Sequence, residues 1–78
     1  MKIRTLDVVE DSNEFFVDEL EGLPLVTPYT IGGKERKIAG QVVALARVDR
    51  FPKGAEVDVP TRQAEHLIAL GLAELVPA

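Results

Sequence analysis

The chain has 78 residues, no cysteine, one histidine and a formal net charge of −4 at pH 7. This length suffices for one domain with a thin hydrophobic core. The absence of cysteine excludes disulfides and argues against a structural zinc site. The acidic balance argues against nucleic acid as a partner, because proteins that bind it cluster Lys and Arg against the phosphates.

The hydrophobic segments predict neither a membrane protein nor a secreted one. No apolar run approaches the roughly 20 residues that cross a bilayer. Residues 1–7 lack the apolar stretch of a signal peptide. We therefore expect a protein that is made in the cytoplasm and does not bind membranes.

Charge is distributed unevenly along the chain. Seven acids and no base lie between Thr5 and Gly33, whereas six bases and two acids lie from Lys34 to Lys53. The acidic and basic segments could be neighbours within one fold. They could instead meet between copies in an ordered assembly, where complementary charge sets register and partner choice. The sequence leaves both interpretations open.

The N-terminal segment predicts a strand followed by an acidic stretch for which two conformations are open. Residues 1–9 are rich in Ile, Thr and Val, which favours a strand. Asp11 has the residue type of a helix N-cap, with Glu14 as its capping partner and Gly22 as a possible end. Residues 15–17, Phe-Phe-Val, favour a strand instead. A short helix and an irregular acidic loop are both retained for residues 10–22.

Residues 23–28 read Leu-Pro-Leu-Val-Thr-Pro and predict an exposed apolar arm. Proline lacks a backbone donor and excludes this segment from the centre of a sheet. Apolar arms of this kind often lie on a neighbouring molecule. The protein-contact candidates in and beside the arm are Leu23, Leu25, Val26 and Tyr29.

The next segment predicts a β-hairpin. Gly32-Gly33 accepts the positive φ values of a type I′ turn, and such a turn would pair Tyr29–Ile31 with Lys34–Arg36. Tyr29 would then lie opposite Arg36 and could form a cation–π contact. The basic arm of this hairpin adds three contact candidates, Lys34, Arg36 and Lys37.

The C-terminal part predicts a β-turn-β-α-β module. Residues 41–47 alone could be helical, but three valines and the bounding Gly40 and Pro52 favour a strand as far as Phe51. Gly71 stands where a left-handed helix cap belongs. The expected order after Phe51 is a turn at 52–54, a strand at 55–59, a helix that begins at Pro60 or Thr61, and a closing strand at 72–76. The apolar face of the helix is expected to carry Ala64, Leu67, Ile68 and Leu70.

No pattern in the chain carries catalytic, cofactor or metal chemistry. Gly32-Gly33-Lys34 lacks the spacing and the helix of a phosphate loop. His66 has no partner that would make it a general base. The acids of residues 7–14 lack the glycine and the ligand spacing of a calcium loop. We therefore expect no enzyme, no cofactor and no metal.

The segment Phe51–Glu74 resembles a module found in small proteins of tailed bacteriophages, often encoded among the head and neck genes. Its positions form a folding signature of turn glycine, inward valines, helix face and cap glycine, and none of them binds a ligand. In the shorter members the opening strand runs almost directly into the hairpin, so residues 7–40 are an added element here. The matching residues are Gly54, Val57, Val59, Pro60, Ala64, Leu67, Ile68, Gly71, Leu72, Ala73 and Glu74.

The resemblance implies a non-enzymatic structural protein of the virion, either a capsid decoration protein or a head-to-tail connector. It would bind capsid, portal or neck proteins in repeated copies of a symmetric assembly. A small protein-binding regulator or adaptor, encoded by a phage or bacterium, is the alternative.

The expected architecture is a single mainly β, α+β domain over residues 1–78, a small β-barrel or half-open sandwich with one C-terminal α-helix. Residues 1–40 would hold the acidic strand, the arm and the hairpin. Residues 41–78 would hold the β-turn-β-α-β module.

Overall fold

The computed structural model describes residues 1–77 and is mainly β with a single α-helix, as predicted. The chain divides into a terminal unit, residues 1–9 and 51–77 of the described range, and a central unit, residues 10–50. None of the helices in the described range is long and apolar enough to cross a membrane. The elements are β1 (Lys2–Thr5), β2 (Val9–Phe16), a 3-10 turn (Val17–Leu20), β3 (Thr30–Ile38), β4 (Gln41–Phe51), β5 (Glu56–Asp58), α1 (Thr61–Ala69) and β6 (Ala73–Leu75).

The terminal unit is built on the antiparallel sheet β5-β1-β6. Ile3, in the central strand β1, pairs with Val57 on one side and Leu75 on the other. β1 ends at Thr5, earlier than the strand predicted for residues 1–9, and the Asp7 carboxylate accepts the Val8 N–H at 2.7 Å in the bend that follows. The side chains buried in this unit include Ile3, Phe51, Val59, Ala64 and Leu67.

Helix α1 begins after Pro60 and is capped by Gly71 at φ +74°, as predicted. Strand β6 follows the helix and pairs with β1, so the helix is not the C-terminal element. The helix buries Ala64 and Leu67 with Gln63, whereas Ile68 and Leu70 are 37% and 57% exposed. Leu70 was predicted on the apolar face, but it is the C-cap residue and lies beyond the last helical turn.

The exposed face of this sheet carries a row of opposite charges. The Arg4 guanidinium donates to Glu56 at 3.0 Å and to Glu74 at 2.8 Å. The hydrogen bonds that Arg4 donates to the Glu56 carboxylate and then to the Glu74 carboxylate raise the pKa of Arg4. Cross-strand pairs of this kind support the register of a sheet.

The central unit is the antiparallel sheet β2-β4-β3, with β4 in the middle. The strand predicted for residues 41–51 is present over its full length. Residues 11–16 belong to β2, so the expected helix and the expected loop are both wrong for them. Burial of Phe15 against Leu20 and Leu45 favours the strand, because an alternating side chain can then enter the core.

The predicted Gly32-Gly33 turn is wrong. Both glycines lie inside β3, opposite Val48 and Arg47 of β4, so Tyr29–Ile31 does not pair with Lys34–Arg36. The hairpin turns instead at Ala39-Gly40, where φ is 51° and 80°. Both values are positive, as a two-residue type I′ turn requires.

Ala39 is the non-glycine residue with positive φ in the described range. We expect Ala39→Gly to raise the free energy of unfolding by about 1 kcal/mol, because left-handed backbone costs an L-residue roughly 1–2 kcal/mol. Gly40→Ala should lower it by a similar amount, although no atom lies within 4 Å of the new methyl. Urea denaturation of both variants measures the two shifts, and equal signs would contradict this assignment of the turn.

Candidate protein-contact surface

The arm, which from here on includes Tyr29 and spans residues 23–29, is held to its own sheet by a buried ion pair in β4. Arg47 Nε lies 2.9 Å from Asp49 Oδ2, and both side chains are 1% exposed. The two residues are two positions apart on a strand, so their side chains share one face. A buried pair requires further hydrogen bonds to offset the loss of water around both charges.

Those further hydrogen bonds join the ion pair to the arm. Arg47 Nη1 donates to the Leu25 carbonyl oxygen at 3.2 Å. The Thr30 hydroxyl donates to Asp49 Oδ1 at 2.7 Å and accepts from the Thr27 N–H at 2.9 Å. The arm backbone is therefore fixed to β4 through both members of the ion pair.

Two more contacts complete the network. The Arg47 guanidinium lies 5.0 Å from the centre of the Phe15 ring, a cation–π geometry. The Arg50 N–H donates to the Tyr29 carbonyl oxygen at 2.9 Å, which continues the β4 ladder beyond β3. Within the described residues, every buried side-chain N or O atom has a hydrogen-bond partner. The network stabilises one conformation of the arm.

The arm's apolar side chains point outward, although its backbone is fixed. Leu25 and Val26 are 58% and 60% exposed, while Leu23 and Tyr29 are half-buried. Leu25 and Val26 border a mainly apolar cleft of about 240 Å³, here called the arm cleft. Its other lining residues are Val17, Leu20, Glu35, Val42 and Leu45.

A second concavity, here called the edge groove, runs beside the arm cleft along β3. It has a volume of about 760 Å³ and shares Val26, Glu35 and Leu45 with the cleft. Gly32 and Gly33 line it, and their lack of side chains leaves the backbone of the strand uncovered. Two outer strands bound this sheet, and β3 is one of them. An outer strand presents backbone N–H and C=O groups that an added strand can pair with.

The three predicted bases, Lys34, Arg36 and Lys37, lie together on β3 and line a concavity of about 440 Å³ with Glu14, Glu35 and Ala46. Lys34 and Lys37 line the edge groove. Arg36 lies opposite Ala44, on the same face of the sheet as Lys34, and its guanidinium reaches Glu14 Oε1 at 2.9 Å. Tyr29 and Arg36 are not paired across a hairpin, so the predicted basis for a cation–π contact between them is absent.

Within the described residues, ion pairs join the acidic and the basic segment inside the chain. Glu14 pairs with Arg36, and Glu10 pairs with Arg50, each at 2.9 Å. Both pairs are exposed on one face of the central sheet. Exposed pairs contribute about 0–1 kcal/mol to stability, so these charges remain available to a partner of opposite sign.

Arg47 and Asp49, the residues that hold the contact surface in place, are not among the predicted site residues. Their signal is the alternation Leu45, Arg47, Asp49, Phe51, in which two charges of opposite sign occupy the buried face of a strand. Charges at inward positions are rare unless paired. The alternation therefore predicts that Arg47 and Asp49 are buried and paired. It does not predict which residues of the arm they bind.

Comparison of the chain with protein-family models, with curated proteins and with solved structures finds no match.

Proposed function

We propose that this chain is a non-enzymatic structural protein that binds other protein surfaces through the arm cleft, the edge groove and strand β3. The open edge of β3 carries the proposal: every residue from Ile31 to Ile38 is exposed. Ile31 and Ile38, at 55% and 65% exposure, lie at its two ends. A long exposed outer strand beside an apolar cleft suits an added strand and an apolar anchor.

The proposed setting is the particle of a tailed bacteriophage, where the chain would act as a capsid decoration protein or a head-to-tail connector. The support is the resemblance of residues 51–74, which make up most of the terminal unit. Capsid, portal or neck proteins are the proposed partners, in a symmetric array of repeated copies. The proposed location is the virion, after synthesis in the host cytoplasm.

Mass spectrometry of purified particles with quantified standards tests this setting. A decoration protein is expected in many copies spread over the capsid, and a connector in a small number set by the ring on the portal. A chain that is absent from particles and forms a stable complex with one host protein would overturn the proposal. That result would favour the regulator or adaptor.

Charge reversal on β3 should weaken assembly without unfolding the chain. We expect Arg36→Glu with Lys37→Glu to reduce incorporation into particles, because like charges at a contact disfavour docking by several kcal/mol. Lys2→Glu with Lys53→Glu changes the net charge equally, from −4 to −8, at exposed positions of the terminal unit. Unchanged incorporation of the β3 variant at low salt, with normal circular dichroism, would contradict the role of these bases.

A further inference from the structure

The two outer strands of the central sheet carry opposite charge. β2 holds Glu10, Asp11 and Glu14 without a base. β3 holds Lys34, Arg36 and Lys37 with one acid, Glu35. Within the described residues no strand pairs with the outer edge of either one. One copy of the chain therefore presents an acidic edge and a basic edge on opposite sides of the same sheet.

Four of the charged side chains on the two outer strands lie on the same face of the central sheet. Lys34 and Arg36 pair with Ala46 and Ala44 of β4 and share their face. The ion pairs of Glu14 with Arg36 and of Glu10 with Arg50 place these two acids of β2 on that face too. Glu14 reaches Arg36 across β4, a distance of two strand spacings, whereas a directly neighbouring strand lies only about 4.8 Å away. An acidic strand added beside β3 would lie closer to these bases than β2 of the same chain does.

Two-fold self-pairing of either edge is disfavoured by the same charges. In an antiparallel pair about a two-fold axis, the residue on the axis faces its own copy. If the two-fold axis passes through Lys34, Glu35 or Arg36 of β3, like charges therefore face each other, which destabilises a sheet. If the axis passes through Gly33, none of the bases of β3 faces an acid. In a pair of β2 strands with the axis at Ser12, Glu10 of each copy lies opposite Glu14 of the other.

We propose that copies of this chain associate head to tail, with the β2 edge of one copy added to the β3 edge of the next. The inference rests on the proposed role in a repeated array. β2 and β3 both run antiparallel to β4 and are thus parallel to each other, so a copy rotated or shifted along the sheet adds its β2 parallel to β3. Such a contact is heterologous, and it closes into a ring or continues as an open chain of copies.

The lysines of β3 select for this partner. Lysine on an outer strand hinders pairing with uncharged or basic strands. It favours an acidic one, since complementary charge speeds encounter and rejects wrong partners. Gly32 and Gly33 leave the backbone beside these lysines accessible. Lys34 has no acidic partner within 4.0 Å in the described part of the chain.

A charge-swap experiment on the purified chain tests the contact by native mass spectrometry and light scattering at low salt. Variant A carries Lys34→Glu and Arg36→Glu, so both of its edges are acidic. Variant B carries Glu10→Lys and Glu14→Lys, so both of its edges are basic. We expect each variant alone to associate about 100-fold more weakly than the wild type, the equivalent of two like-charge contacts. An equimolar mixture should recover assembly with alternating copies.

The outcomes separate this inference from the proposed function. The Lys2→Glu, Lys53→Glu chain, with the same net charge as variant A, should assemble like the wild type. Recovery in the A and B mixture, with β3 amides gaining protection from hydrogen exchange, supports the head-to-tail contact. A mixture that stays monomeric while the wild type assembles overturns it, as does a wild type that is monomeric at millimolar concentration. In either case the copy number of the chain in purified particles would still test the proposed function independently.

Discussion

Asp49→Ala should lower the free energy of unfolding by about 3–5 kcal/mol, because it leaves the buried Arg47 guanidinium without its counter-charge. The Arg47 and Asp49 side chains are each 1% exposed, so water cannot replace the lost partner. The Thr30 hydroxyl loses its acceptor as well. A chain of this length has a total stability on the order of 4–12 kcal/mol. Urea denaturation followed by circular dichroism should show a much lower midpoint, because the loss is a large fraction of the total stability.

The exposed pair Glu10–Arg50 is a matched control for this prediction. Its closest N–O distance is 2.9 Å, the same as in the buried pair, and Arg50 is on the same strand as Arg47. Glu10→Ala should change stability by less than about 1 kcal/mol, because solvent screens exposed pairs. Similar losses from Glu10→Ala and Asp49→Ala would contradict the claim that burial makes the inner pair important.

A second control separates the charge from the space it fills. Arg47→Met with Asp49→Leu removes both charges and keeps an apolar side chain at each position. Replacement of a whole buried pair is often neutral, whereas removal of one partner is not. We expect the double variant to be more stable than Asp49→Ala, with faster hydrogen exchange in the arm, because the Leu25 carbonyl and Thr30 hydroxyl lose their partners.

Gly33→Ala should destabilise the protein by about 1–3 kcal/mol, the usual cost of forcing atoms into a filled space. A methyl group at this position would lie 2.9 Å from the Ala46 carbonyl oxygen and 3.5 Å from the Arg47 Cα. The obstacle is the backbone of β4, which cannot move aside without disturbing the β3–β4 pairing. Thermal denaturation of the variant should show a lower midpoint.

The neighbouring glycine provides the control. Gly32→Ala places a methyl with no atom within 4 Å, also inside β3. Replacing a strand glycine by alanine stabilises by roughly 0.5–1 kcal/mol when there is room. The two variants should therefore move the denaturation midpoint in opposite directions. Equal and small effects would show that β3 does not approach β4 as closely as the structure has it.

The sequence predicts the terminal unit well, because its signals are local. Gly54 and Gly71 take the positive φ values expected of a turn and a helix cap. Val57 in β5 and Val59 directly after it are both buried, as the alternation predicts. Each of these features depends on residues within a few positions, so propensity and periodicity suffice to place them.

The central unit was predicted less well, because its structure depends on contacts distant in sequence. Phe15 becomes part of a strand by packing on Leu45, 30 positions away. Gly33 is required by the approach of β4, which a turn motif does not reveal. The contact between Arg47 and the Leu25 carbonyl also joins segments 22 positions apart. Four of the seven predicted contact residues, Leu25, Val26, Lys34 and Lys37, nevertheless line the cleft or the groove.

The most direct test of contact through the central unit is lysine acetylation of the chain in purified particles and of the chain alone. The four lysines form two pairs: Lys34 and Lys37 on β3, and Lys2 and Lys53 in the terminal unit, all exposed in the isolated chain. We predict that assembly slows acetylation of Lys34 and Lys37 strongly and leaves Lys2 and Lys53 unchanged. Equal acetylation of Lys34 and Lys37 in both states would contradict the proposed contact surface.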